Sequence, residues 1–164
     1  MSDFEGFPPA TFKFLRDLTK NNNREWFAKN KTLYEEFFLA PSLRFIESMK
    51  APLERAAPLL HVEAKKMGGS LMRIYKDTRF SKDKTPYKTW MACFMHRKEI
   101  KKNDGSHGYY LHLGNDESFF GAGIHGPSSP HLLKIRRLIT EQPDLWVPAS
   151  KLDLTGESLK RPPR

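Results

Sequence analysis

Cations, carboxylates and hydroxyls alternate through the stretch from Gly69 to Thr89. Arg73, Lys76, Arg79, Lys82, Lys84 and Lys88 are interleaved with Asp77 and Asp83, and with hydroxyls from Ser70, Thr78, Ser81, Thr85 and Thr89. Forked guanidinium donors beside ammonium groups suit phosphate or carboxylate oxygens. Read as a site, the stretch offers Arg73, Arg79 and Lys84 as oxyanion contacts, with Tyr87 and Lys88 completing a ligand-binding set. Asp77 and Asp83 are the candidates for acid/base work or for orienting the cations. Read as structure, the same residues are a salt-bridged loop that locks one strand to the next. Arg73 shares a strand face with Leu71 and Tyr75, so it is expected to be partly buried and paired with Asp77 or Asp83. Arg79 and Lys84 are then expected to line an adjacent concavity.

Other patterns carry less chemistry. Gly121, Gly123 and Gly126 have the spacing of a dinucleotide-binding loop. That loop needs a βαβ unit, whereas the preceding segment reads as a hairpin and Pro127 removes an amide donor. Strand glycines beneath a ring from Tyr109 or Tyr110 are the expectation instead. A hairpin pivot near Asp116 sets His107 opposite His125, but no spacing supplies further zinc ligands, so no metal and no cofactor is expected. Cys93, the single cysteine, lies in the apolar run Trp90–Met95 and reads as a buried, inert thiol. Glu63-Ala64-Lys65 has the acid-x-Lys form of some nucleases but is too short to inform.

The elements that must position these groups begin with helices. Pro8 and Pro9 open a first helix with Phe12, Leu15 and Leu18 on one face. Asn21-Asn22-Asn23 turns the chain and caps a second, whose stripe is Trp26, Phe27, Leu33, Tyr34, Phe37 and Phe38. Asn30 falls on that stripe as a hydrogen-bonded amide. A third helix starts at Pro41 after a break and ends at Pro58. The period then changes, and residues 70–75, 89–95, 108–113 and 119–124 read as short strands joined by turns. Ser128 or Ser129 caps a last helix, with Leu132, Leu133, Ile135, Leu138 and Ile139 inward, closed by Pro143. Helices followed by sequential strands give an α+β fold, helices on one face of a mainly antiparallel sheet, as a single domain over residues 1–164. Trp26, Phe27, Leu33, Tyr34 and Phe37 are expected to pack on Leu71, Ile74 and Phe94.

The chain of 164 residues has 28 Lys and Arg against 19 Asp and Glu, a formal charge of +9. That excess favours anionic partners: an anionic small molecule first, nucleic acid or an acidic protein second. No apolar run reaches membrane-spanning length and no signal pattern opens the chain, so a cytoplasmic protein without membrane association is expected. The oligomeric state is not encoded in any pattern.

NNNREWFAKNKTLYEEFFLAP, GGSLMRIYKDTRFSKDKTPYKT and GYYLHLGNDESFFGAGIHGP follow one another in this order. Together they resemble the conserved hypothetical proteins catalogued as domain of unknown function twenty-four sixty-one, from Phe4 to about Arg161. The middle string matches the family pattern at Arg73, Asp77, Arg79, Phe80, Asp83, Lys84, Pro86, Tyr87 and Lys88. The resemblance implies a compact α+β domain and no particular activity. It also implies a continuation past Pro163, with a glycine, an aromatic and an Asp-His-Pro stretch, where this chain stops at Arg164. Two functions stay open: a domain, enzymatic or not, that binds a phosphorylated or carboxylated ligand at Gly69–Thr89, and a non-catalytic interaction domain with a basic face.

Overall fold

The computed structural model describes residues 4–97 and 106–151. Helix α1 spans Pro9–Lys20. Pro9 sits in its first turn, where a missing N–H leaves no bond unmade. Thr11, Phe14, Leu15 and Leu18 form its buried face at helical spacing. Helix α2, Arg24–Lys29, is capped by Asn23, whose side chain accepts from the Trp26 amide. Asn30 ends it, and its half-buried amide Nδ2 donates to the Trp26 carbonyl at 2.8 Å. The chain continues through α3 (Lys31–Tyr34), a π-helical turn (Glu35–Leu39) and α4 (Ala40–Ala56).

No break precedes Pro41, contrary to the sequence expectation. A proline inside a continuing helix frees the carbonyl four residues earlier, here that of Phe37. The Thr11 hydroxyl, buried on α1, donates to that carbonyl at 2.5 Å. The π-helical turn absorbs the mismatch, and α1 is tied to the helix by the bond that proline leaves vacant. The interruption at Asn30 also shifts the helical phase. Leu33 is therefore 41% exposed instead of facing the core, and Trp26 and Phe37 are only half-buried.

Four strands, β1 (Leu60–His61), β2 (Met91–Arg97), β3 (Ser106–Leu113) and β4 (Ser118–His125), pair antiparallel in that order. The helices cover one face. Phe14, Leu18, Tyr34, Phe38 and Ile46 form a single core with Leu71, Ile74, Met91, Cys93 and Met95. Phe94 alternates to the opposite face, outside that core. Between β3 and β4, Gly114 donates to the Glu117 carbonyl, and the register sets His107 against Ile124 and Ser106 against His125. The pivot is half a residue before Asp116. Because side chains alternate, that displacement puts His107 and His125 on opposite faces rather than face to face.

Residues 70–75 form no continuous strand. They bridge to β2 at Leu71↔Cys93 and to the chain before it at Tyr75↔Tyr87. Three residues on one side therefore face five on the other, and the extra two interrupt the alternation. Leu71 and Ile74 are both buried as a result, and Arg73 is exposed. Gly121 and Gly123 do lie in β4, but a Cβ at Gly121 would meet nothing within 4 Å, so no ring covers it. Within the sheet, close approach does force glycine at position 108, where a Cβ on Gly108 would fall 2.2 Å from the Met95 carbonyl oxygen.

Residues from Pro127 onward form a second compact unit. Its helices are α5 (Ser129–Glu141) and α6 (Pro143–Ser150). Ser128 precedes α5 in extended conformation without a side-chain cap bond. Contrary to expectation, α5 buries none of its residues, and Leu133 is half exposed. Pro143 opens α6 rather than only closing α5.

Candidate functional site

The hairpin that carries the charges is closed by the Lys76 amide, which donates to the Pro86 carbonyl at 2.9 Å. Its base is pinned to the turn between α1 and α2. Asn22 Nδ2 donates to the Tyr87 carbonyl at 2.9 Å, and the Tyr87 amide donates to Asn22 Oδ1 at 3.1 Å. The Tyr87 ring is buried and stacks on Phe27 with centroids 4.1 Å apart. Tyr87, expected in the ligand set, places its ring in the core and anchors the hairpin there.

Both carboxylates are taken up locally. Asp77 Oδ1 and Oδ2 accept from Arg79 Nε at 3.0 Å and Nη2 at 2.7 Å, a forked pair closed across a turn. Asp83 accepts from Lys76 Nζ at 2.7 Å and from the Thr85 amide and hydroxyl, both at 2.9 Å. The bonds from Arg79 hold the Asp77 carboxyl below its ordinary range, and the ammonium of Lys76 does so more strongly for Asp83. Carboxylates held this firmly in the charged form are weak proton acceptors at neutral pH, so the geometry suits a charged scaffold better than acid/base catalysis.

Arg73 is the correction. The expected ion pair with Asp77 or Asp83 does not form, because the interrupted ladder turns Arg73 outward and nearer cations occupy both acids. Its charge is still felt: together with burial, which is the larger cause, it lowers the Lys88 ammonium below its usual range. Arg79 lies against the exposed Phe80 ring, 5.7 Å from its centroid, and does not line the hollow beside the hairpin.

That hollow is shallow and open, about 650 Å³, between the α1–α2 turn and the hairpin. Arg24, Thr78, Asp83, Lys84 and Thr85 line it together with Asn22. Lys84 Nζ donates to the Thr78 carbonyl at 2.9 Å. Of the expected ligand residues, Lys84 alone reaches this surface; Asp83 is there as well, already satisfied by its own partners. Arg24 and Asn22 were missed by sequence reasoning. The asparagine run was legible as a turn, but its bond to Tyr87 crosses 65 positions and leaves no local pattern.

Elsewhere, Cys93 is buried, and burial raises its thiol to about 12. Glu63 is paired to Lys65 and lies 3.2 Å from His61 Nε2. Among the described residues, no three His, Cys, Asp or Glu side chains are grouped so as to hold a metal ion. No described helix is long and apolar enough to cross a membrane.

Residues 10–164 match the model of a conserved hypothetical protein family, DUF2461. No curated protein and no solved structure matches the chain.

Proposed function

The chain belongs to the DUF2461 family, whose description names no activity, and we propose from the site itself that it is a binding module for a phosphorylated or carboxylated ligand. The ligand sits in the hollow beside the 76–86 hairpin. Lys84 and Arg24 are its oxyanion contacts, and the Thr78 and Thr85 hydroxyls supplement them. One observation carries this reading: the carboxylate in the hollow, Asp83, is already neutralised by Lys76, while Arg24 and Lys84 form no ion pair among the described residues. An anion entering there meets two cations that have no competing carboxylate. Arg73 and Lys88 extend the positive field outside the hollow, and Arg79 stays with Asp77. No catalytic step is assigned.

The test is thermal melting in phosphate or sulfate against chloride at equal ionic strength. A ligand that binds only the folded chain raises the melting temperature by mass action. Lys84→Ala is expected to remove most of that rise, while changing the anion-free stability by less than about 0.5 kcal/mol, since the residue is exposed. Arg79→Ala, outside the hollow, is expected to keep the rise. No rise in the wild type, or a full rise in Lys84→Ala, ends this reading.

A further inference from the structure

The face of the sheet turned away from α1–α4 is built of rings. Trp90 stacks with His112 at 5.6 Å between centroids, and His112 stacks with Phe119 at 5.0 Å and 7°. The Tyr110 hydroxyl lies 3.2 Å from His112 Nδ1 and fixes the imidazole within the row. Beside it, Phe94 stacks with His96 at 5.6 Å. A cavity of about 390 Å³ opens between these rings, lined by Met72, Phe94, His96, Tyr110 and His125. The rings are not core. The hydrophobic core uses the other face of β2, and on this one Phe119 is 46% and Met72 41% exposed.

We propose that this face binds single-stranded nucleic acid, its bases stacking on the Trp90–His112–Phe119 row and its phosphates meeting the cations of the neighbouring hairpin. The phosphate half rests on the anion-binding reading above; the stacking half does not. Three observations favour this occupant. Stacked rings lying in sequence across an antiparallel sheet offer successive platforms for unpaired bases, whose faces a duplex would hide. Imidazoles and a phenol among the rings add donors and acceptors for base edges, which a purely apolar contact would leave unpaired. A basic hairpin stands at the end of the row: Lys76, ion-paired with Asp83, has its Nζ 5.9 Å from the centroid of Trp90 and joins the hairpin that carries Lys84 to the first ring. A second copy of the chain, itself at +9, is the less suitable occupant.

Fluorescence anisotropy of the full chain with labelled 12-mers of deoxythymidine and of uridine, alongside a duplex of equal length, tests this. Single strands are expected to bind more tightly than duplex, with affinity falling as salt rises. Trp90→Ala and Phe119→Ala should each weaken oligonucleotide binding roughly 5- to 100-fold, with no change in the phosphate-induced melting shift. Lys84→Ala should weaken both. Circular dichroism of each variant confirms that the fold persists; Phe119, on the edge strand and half exposed, is the safer of the two substitutions. If duplex binds as well as single strand, or if neither ring matters, the binding is plain charge attraction and the proposal falls. A phosphate shift without oligonucleotide binding overturns this proposal and leaves the hollow standing. Ring-dependent oligonucleotide binding without a phosphate shift does the reverse. A dimer by light scattering that Phe119→Asp splits would make the face a self-interface, and that too overturns it.

Discussion

Asp83 accepts three hydrogen bonds on an exposed loop, one from Lys76 and two from Thr85, and these hold its carboxyl below the ordinary range. A carboxyl with a folded-state value below its unfolded one stabilises the fold above the unfolded value, and the contribution is lost as pH falls through the folded one. Asp83→Asn should therefore lower the melting temperature slightly at pH 6–7, by little because water screens the pair. The gap from wild type should close as the solution is acidified below about pH 4, the ordinary aspartate range. A gap that persists in acid would mean that the loop depends on the shape of the side chain and not on its charge. The acidic and basic residues of this loop were legible as a cluster, but their pairing was not. Arg73 was the natural partner for a strand whose side chains alternate; two residues of mismatch removed that alternation. Asp77 then found Arg79 two positions away, at lower entropic cost than any distant cation.

At the scale of elements, what holds the hairpin in place is backbone geometry and a few side chains that substitute for missing backbone bonds. Thr11 satisfies the carbonyl that Pro41 abandons, and Asn22 pairs both polar groups of Tyr87 as a strand neighbour would. Glycine acts by the same logic where β2 and β3 approach closely. Gly108→Ala would place a Cβ 2.2 Å from the Met95 carbonyl oxygen and should cost about 1–3 kcal/mol as the strands part. Gly121→Ala meets open space and should lie within about 0.5 kcal/mol of wild type. Chemical denaturation of the two variants checks the contrast; equal losses would refute the close approach. Periodicity located α1, α2 and the three long strands, because a buried face repeats in the sequence whatever covers it. It did not give the register of β3 and β4, where half a residue at the turn decides which histidines share a face. Nor did it foresee that the helix would run through Pro41, since the remedy is a threonine 30 positions earlier in the chain.

Over the whole molecule, the core cluster lies within the first compact unit, Met1–Gly126. The aromatics of that cluster, Phe14, Phe27, Tyr34, Phe38 and Tyr87, all belong to this unit. α5 has an amphipathic sequence but no buried residue, and Leu145, Trp146 and Val147 of α6 are all more than 40% exposed. The expectation of one domain over residues 1–164 rested on a length usual for a single domain and on the lack of any linker pattern in the sequence. A chain ending at Gly126 decides the matter. It should melt in a single cooperative transition with the near-ultraviolet circular dichroism of fixed aromatic rings, because the core cluster is drawn from residues before Pro127. Phe38→Ala, which deletes a ring with 1% exposure, should destabilise the shortened and the full chain alike, by about 3–5 kcal/mol. The phosphate-induced melting shift should survive the truncation, since Arg24, Thr78, Lys84 and Thr85 all lie before Gly126. A shortened chain that keeps helical signal but loses the aromatic signal and the cooperative transition would show that the fold is one domain, completed only by residues after Gly126.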